Sequence, residues 1–212
     1  MTTLILLRHG FSLYNKERRY TGQRDIPLEP EGYRQAEDAA RYLLANYKID
    51  AVYASDLSRA VLTAKPLADA LGLPIRTTPA FREIDLGIWT DMLIDDVKAK
   101  YPDEAAYFRS GYGYARAGGG ENYAEMIGRV DLAARQIARR HPNKTVLIAS
   151  HGGAIRAALT GWLGIDIENV NNAPFSGNAS INVVDFEDGR FTPRIIGFTG
   201  HLTVRPDAPK SE

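Results

Sequence analysis

Apolar residues run without a polar break from Leu4 to Leu7, and with Thr3 they predict a short central parallel strand, buried on both faces. After the turn Glu29-Pro30-Glu31-Gly32 the pattern changes period. Ala36, Ala39, Ala40, Leu43, Leu44 and Tyr47 recur at three-and-four spacing, the stripe of an amphipathic helix. Ala51 to Ala54 reads as a second strand and Leu57 to Leu71 as a second helix, closed by Gly72 and Pro74. Ile75 to Thr77 is a weaker third strand. Tyr123, Ile127, Val130, Ala134 and Ile137 mark one face of a helix from Glu121 to about Arg140, which leads into the clearest strand, Thr145 to Ala149. A helix over 154–163 follows. Two further strands, near Ile181 to Phe186 and Arg194 to Phe198, flank the hairpin signal Glu187-Asp188-Gly189-Arg190. Alternating strands and helices predict a three-layer α/β/α fold with a mixed, mostly parallel central sheet and an antiparallel edge.

Residues 1–204 read as one domain, and 205–212, with two prolines and no apolar cluster, as a loose tail. Tyr101, Tyr107, Phe108, Tyr112 and Tyr114, followed by Gly118-Gly119-Gly120, form an aromatic-rich stretch within an insertion of about 90–121. It is expected to fold over the site as a small cap. The N-terminal apolar run is too short for a signal-peptide core, no window approaches a membrane span, and a cytoplasmic protein is expected.

Composition narrows the chemistry. Across 212 residues, 26 Lys and Arg balance 26 Asp and Glu, so no long-range field draws the chain to nucleic acid or an anionic membrane. With no cysteine, thiolate metal sites and cysteine nucleophiles are excluded. No HExxH, metal-ligand spacing or P-loop occurs, and neither a metal nor another cofactor is expected.

Open α/β sheets bind ligands beyond the carboxyl ends of their strands. The first strand runs into Arg8-His9-Gly10, and the strand ending at Ala149 runs into Ser150-His151-Gly152-Gly153. The second ends at Ser55 and puts Arg59 in the next helical turn; the third is followed by Arg82-Glu83. Each has a bland explanation alone: a strand-end histidine is ordinarily a hydrogen-bonded structural group, Arg59 a solvated charge, and Glu83 half of a local pair with Arg82. Chance would scatter them. His141, before Pro142, reads as compensation of a helix dipole, and His201 as a structural or rim residue.

The ordered blocks Leu7-Arg8-His9-Gly10 with Ser12 and Asn15, Gly22 to Gly32, Ser55 to Ala60 with Thr63-Ala64, Arg82 to Gly87, Gly120-Glu121 and Ser150 to Gly153 resemble the histidine phosphatase superfamily, in its phosphoglycerate-mutase-like branch and of the broad-specificity phosphatase type. The resemblance spans Leu4 to about His201. It implies that His9 is the nucleophile and carries a phosphohistidine, with Arg8, Arg59 and His151 around the phosphoryl oxygens and Glu83 as general acid and base. It places Asn15, Thr21, Gly22, Gln23 and Gly152 near phosphate or substrate. Arginine suits the first task because its planar fork gives two hydrogen bonds to one phosphate.

One site serves two reactions. Phosphomonoester hydrolysis gives the phosphoryl group to water; a phosphoglycerate mutase returns it to a hydroxyl. The segment Ile84-Asp85-Leu86-Gly87-Ile88-Trp89-Thr90 after Glu83 is similar to phosphatase members, and Ser176 to Ile181 stands where mutases carry a late Gly-Ile-Pro-type segment, which favours a phosphomonoesterase for small phosphorylated metabolites. One departure stands out: members usually continue from the Trp with an acidic residue and Gly, where this chain has Thr90-Asp91, so a different pocket mouth is expected. A non-catalytic phosphate-binding protein is disfavoured by the intact set of five. Cap aromatics offer apolar walls or merely pack the cap, and Arg24, Arg109 and Arg116 could reach the pocket. A small-molecule phosphate ester is the expected partner, nucleic acid and membrane are not, and a homodimer is left open.

Overall fold

A computed structural model describes residues 1–204. Its six-stranded sheet has the order β3-β2-β4-β1-β5-β6, built from β1 (Thr2–Arg8), β2 (Ala51–Ala54), β3 (Ile75–Thr77), β4 (Thr145–Ser150), β5 (Ile181–Glu187) and β6 (Arg190–Phe198). The first four are parallel; β5 is antiparallel to β1, and β6 to β5. The predicted mixed sheet with an antiparallel edge is therefore present. Its hairpin turns through Asp188 and Gly189, both at positive φ, as a tight two-residue connection requires.

Helices cover both faces. Beside one face lie α2 (Pro30–Asn46) and α3 (Ser58–Leu71), whose Ala39, Leu43, Ala60, Ala64 and Leu67 pack on Ile5, Val52 and Leu147. On the other, α6 (Tyr123–Arg140) and α7 (Gly152–Trp162) bring Met126, Val130, Ile155 and Leu159 against Leu4, Leu6 and Ile148. Neighbouring strand residues point to opposite faces, so the unbroken run Leu4–Leu7 supplies both cores. The α2 stripe is narrower than expected, because Leu44 is exposed. The helix expected over 154–163 begins two residues earlier, placing Gly152 and Gly153 in its first turn.

Besides the 3-10 turns Pro79–Phe81 and Ile167–Asn172, four helical pieces were not foreseen as elements: α1 (Leu13–Lys16), α4 (Ile94–Lys100), α5 (Pro102–Arg109) and the 3-10 turn Gly87–Trp89. Trp89 is fully buried and holds the last three together, its ring meeting Tyr101 and, edge-on at 5.9 Å, Phe108. The expected tail over 205–212 lies outside the described residues.

For the site, the decisive feature is the register of the two central strands. β1 and β4 are adjacent, with Arg8 opposite Ser150, so both strand ends deliver their next residue, His9 and His151, at one level. The His9 N–H donates to the Ser150 carbonyl at 2.9 Å.

Candidate active site

At that edge a cavity of about 190 Å³ is lined by Arg8, His9, Asn15, Thr21, Gly22, Arg59 and Glu83, with Arg19, Tyr20, Phe108 and Tyr123 among its outer walls. His9 is 5% exposed and His151 not at all; their ring centroids are 5.2 Å apart. Burial first, then the Arg59 charge, pushes the pKa of each well below the usual histidine value, so both are neutral at pH 7. Their Nδ1 partners differ in polarity. His9 Nδ1 lies 2.8 Å from the Gly10 carbonyl, which only accepts, so this nitrogen carries the proton and Nε2 keeps its lone pair. His151 Nδ1 receives Arg59 Nε–H at 3.2 Å, so it is the acceptor and its Nε2 carries the proton. Two neutral imidazoles are thus fixed as opposite tautomers, one able to attack and one able to donate.

Arg59, 1% exposed, also donates to the carbonyls of Arg24 at 2.7 Å and Gly22 at 2.9 Å, which ties the loop after α1 to the first turn of α3. Arg8 donates to the Ser176 carbonyl at 2.5 Å and lies over the Phe175 ring. Burial lowers both guanidinium pKa values to about 10, which leaves both charged at neutral pH. Buried Arg8 Nε and His151 Nε2 have no hydrogen-bond partner among the described residues. Unpaired buried donors are costly unless something is bound there, and two cations with a protonated imidazole nitrogen suit an anion. The N-terminus of α7 adds its dipole in the same direction.

Glu83 is held by the backbone. Its Oε1 accepts from Ile84 N–H at 2.9 Å and its Oε2 from Gly153 N–H at 3.1 Å. A Cβ on Gly153 would come within 2.2 Å of Oε1, so glycine is what permits the approach. The neighbouring Arg82 does not pair with Glu83; it engages Asp56 with two hydrogen bonds.

Of the positions suggested by resemblance, Asn15, Thr21 and Gly22 line the cavity. Gln23 and Gly152 do not. Gln23 donates to the Glu83 carbonyl at 3.3 Å, and Gly152 lies against the Arg8 guanidinium, where a Cβ would meet Cζ at 3.2 Å. His141 is the C-terminal cap residue of α6; burial and the Arg76 charge lower its pKa, which works against the expected dipole compensation, and its ring shares a 3.0 Å hydrogen bond with Tyr53. His201 packs on Tyr42 and Phe198.

A family model, Histidine phosphatase superfamily (branch 1), matches residues 4–198. The chain belongs to that superfamily. Among curated relatives of this histidine phosphatase, phosphoserine phosphatase 1 of Hydrogenobacter thermophilus is 33% identical over 202 residues, 95% of each chain. A probable phosphoglycerate mutase of Yersinia pestis is 32% identical over 188 residues, 89% of this chain and 86% of that protein. Among solved structures, Bacillus stearothermophilus YhfR superposes with a TM-score of 0.90 at 28% identity, over 95% of this chain and all of that one. A mycobacterial glucosyl-3-phosphoglycerate phosphatase complexed with VO3 gives 0.86 at 28% identity, over 93% and 99%. The histidine phosphatase is thus an enzyme of the phosphatase and mutase type.

Sequence reasoning missed three contributors to this site. Arg19 reaches the cavity wall, whereas Arg24, Arg109 and Arg116 do not line it: Arg24 faces Asp91 at 3.5 Å and Arg116 pairs with Glu125. Asn178 donates to the carbonyls of His9 and Gly10 and, at 3.1 Å, to Asn15 Oδ1, so it shares with His9 Nδ1 the carbonyl that sets the tautomer. Gly153 acts through its N–H. At the Thr90-Asp91 departure, Asp91 takes a left-handed φ of 72°, and its Oδ1 accepts from the Tyr14 hydroxyl at 2.9 Å. That acceptance offsets part of the cost of a left-handed aspartate.

Proposed function

We propose that the protein is a metal-independent phosphomonoesterase acting on small phosphorylated metabolites, with His9 as nucleophile and Glu83 as general acid and base. The observation that carries this reading is the pair of opposed tautomers at one sheet edge. His9 Nε2 attacks phosphorus as the ester oxygen leaves, and that oxygen takes its proton from the Glu83 carboxyl. Water then attacks the phosphohistidine, gives a proton back to Glu83, and releases phosphate and neutral His9. Arg8, Arg59 and the His151 Nε2–H hold the equatorial oxygens through both steps, so the charge of the transition state meets fixed donors. Asn15, Thr21 and Gly22 border the phosphoryl group, while Gln23 and Gly152 act one layer out, through Glu83 and Arg8.

Residues 90–121 serve as the cap. Phe108 alone of the five aromatics singled out there lines the cavity; it stacks on Tyr123, whose phenol burial pushes up to about 12 and keeps neutral. Tyr101 packs on Trp89, and Tyr107, Tyr112 and Tyr114 form a chain of rings outside. An apolar wall beside the anion site fits a monoester with a modest organic part. The relatives named as phosphatases support hydrolysis, and the one named as a probable mutase defines the alternative.

Incubation with 3-phosphoglycerate, with and without 2,3-bisphosphoglycerate, separates the two. Phosphate release that persists in chelator and needs no bisphosphate is expected. Fast interconversion of phosphoglycerates with little free phosphate would replace hydrolase by mutase, and no turnover of several monoesters would point to a binding protein.

A further inference from the structure

Glu83 lies outside regular structure, between the 3-10 turn Pro79–Phe81 and the turn Gly87–Trp89, so no strand or helix ladder fixes its backbone. Side chains do so instead: beside the single 3.3 Å bond from Gln23 to the Glu83 carbonyl, one residue of another element grips three carbonyls of the segment. Arg129, on α6, donates from Nη1 to the carbonyls of Ala80 and Arg82, both at 2.9 Å, and from Nη2 to that of Glu83 at 3.1 Å. Its remaining donors go to Glu121, Nε to Oε1 at 2.6 Å and Nη2 to Oε2 at 2.7 Å. All five guanidinium N–H groups are thereby used. Glu121 is in turn joined to the far side of the same segment, its N–H donating to the Asp85 carbonyl at 2.9 Å. Neither residue lines the cavity, and both side chains are mostly buried, so the pair is shielded from solvent screening.

We propose that Arg129 and Glu121 form a positioning clamp that sets the carboxyl of Glu83 for proton delivery to the leaving oxygen. The inference rests on the reading of Glu83 as general acid. The three carbonyls converge on one planar group, so the backbone from Ala80 to Glu83 has one arrangement that satisfies them all. Glu121 holds that group in orientation and balances its charge. Lysine cannot replace it, because a single ammonium spans neither the three carbonyls nor the two carboxylate oxygens. The Gly120-Glu121 motif thereby gains a role that requires no contact with substrate.

The test is the leaving-group dependence of kcat/KM, which reports transfer to His9. A nitrophenolate leaves with little help from an acid, whereas an alkoxide needs its proton. For Glu83→Gln, kcat/KM for glycerol phosphate should fall at least about tenfold more than for 4-nitrophenyl phosphate, within the range that general acid catalysis supplies. Arg129→Lys and Glu121→Gln should show the same selective loss to a lesser extent, with KM for 4-nitrophenyl phosphate little changed. Val130→Ala, which removes core contacts on the same helix, controls for destabilisation and should lower the melting temperature without altering the ratio. If Glu83→Gln shifts the ratio and folded Glu121→Gln does not, the clamp is overturned and the acid survives. If Glu83→Gln leaves the ratio unchanged, the reading of Glu83 itself fails. Should Arg129→Lys not fold, Glu121→Gln decides alone.

Discussion

His9 and His151 are the same residue type, both buried and both facing Arg8 and Arg59, yet their different Nδ1 partners leave a lone pair on one Nε2 and a proton on the other. Backbone and neighbour, not residue type, divide the labour. That is also why these residues were legible in the sequence while their supports were not. A histidine followed by glycine at the end of an apolar strand can be read from pattern, but a carbonyl acceptor or the N–H of Gly153 has no letter of its own. Gly153→Ala tests this scale. The added Cβ must displace the end of Glu83, and a misplacement of about 1 Å can cost about 10²-fold in rate. Gly153 is helical with ordinary φ, so alanine raises helix propensity by up to about 1 kcal/mol. The expected result is a large fall in kcat with an unchanged or higher melting temperature; a fall in both would mean that the helix, not the carboxylate, had been disturbed.

The long elements were legible because each carries several turns of one period, and short ones were not. The stripes of α2 and α6 give strong signals, whereas α4 and α5, of seven and eight residues, span about two turns each and would be marginal alone. They are held by tertiary contact with Trp89, and of the aromatic residues that appeared as a compositional anomaly Tyr101 and Phe108 make that packing, while Tyr107, Tyr112 and Tyr114 stay outside it. Trp89→Ala would empty the point where Tyr20, Tyr101 and Phe108 meet. A loss of about 3–5 kcal/mol is expected in chemical unfolding. Since Phe108 is also a cavity wall, KM should rise alongside. Loss of stability with an unaltered KM would show that these helices do not shape the pocket. Thr90-Asp91 illustrates a different limit: it could be noted as a departure, but the recruitment of Tyr14 by Asp91 depends on a left-handed backbone and a residue 77 positions away.

Across the whole molecule, the zero net charge conceals a cationic sheet edge where Arg8 and Arg59 flank two neutral imidazoles. Holding histidines neutral has a consequence for stability. Between their depressed folded pKa values and the ordinary value near 6.5, the unfolded chain binds protons that the folded chain does not, so stability falls as pH drops below about 6.5. Each histidine contributes up to about 1.4 kcal/mol per pH unit in that range. Asp50 and Asp56, whose pKa values are lowered by Lys144 and Arg82, lose their contributions only nearer pH 4 and below, so denaturation between pH 6.5 and 5 reads the histidines, with His141, also lowered, adding to His9 and His151. His9→Gln with His151→Gln should flatten the slope there; an unchanged slope would contradict their neutrality. The central claim is that His9 itself carries the phosphoryl group. Rapid quenching of turnover in alkali, followed by peptide mass spectrometry, tests it most directly. The account predicts one base-stable, acid-labile phosphoryl group on His9, absent together with activity from His9→Ala. A modified residue elsewhere, or hydrolysis that survives in His9→Ala, would contradict it.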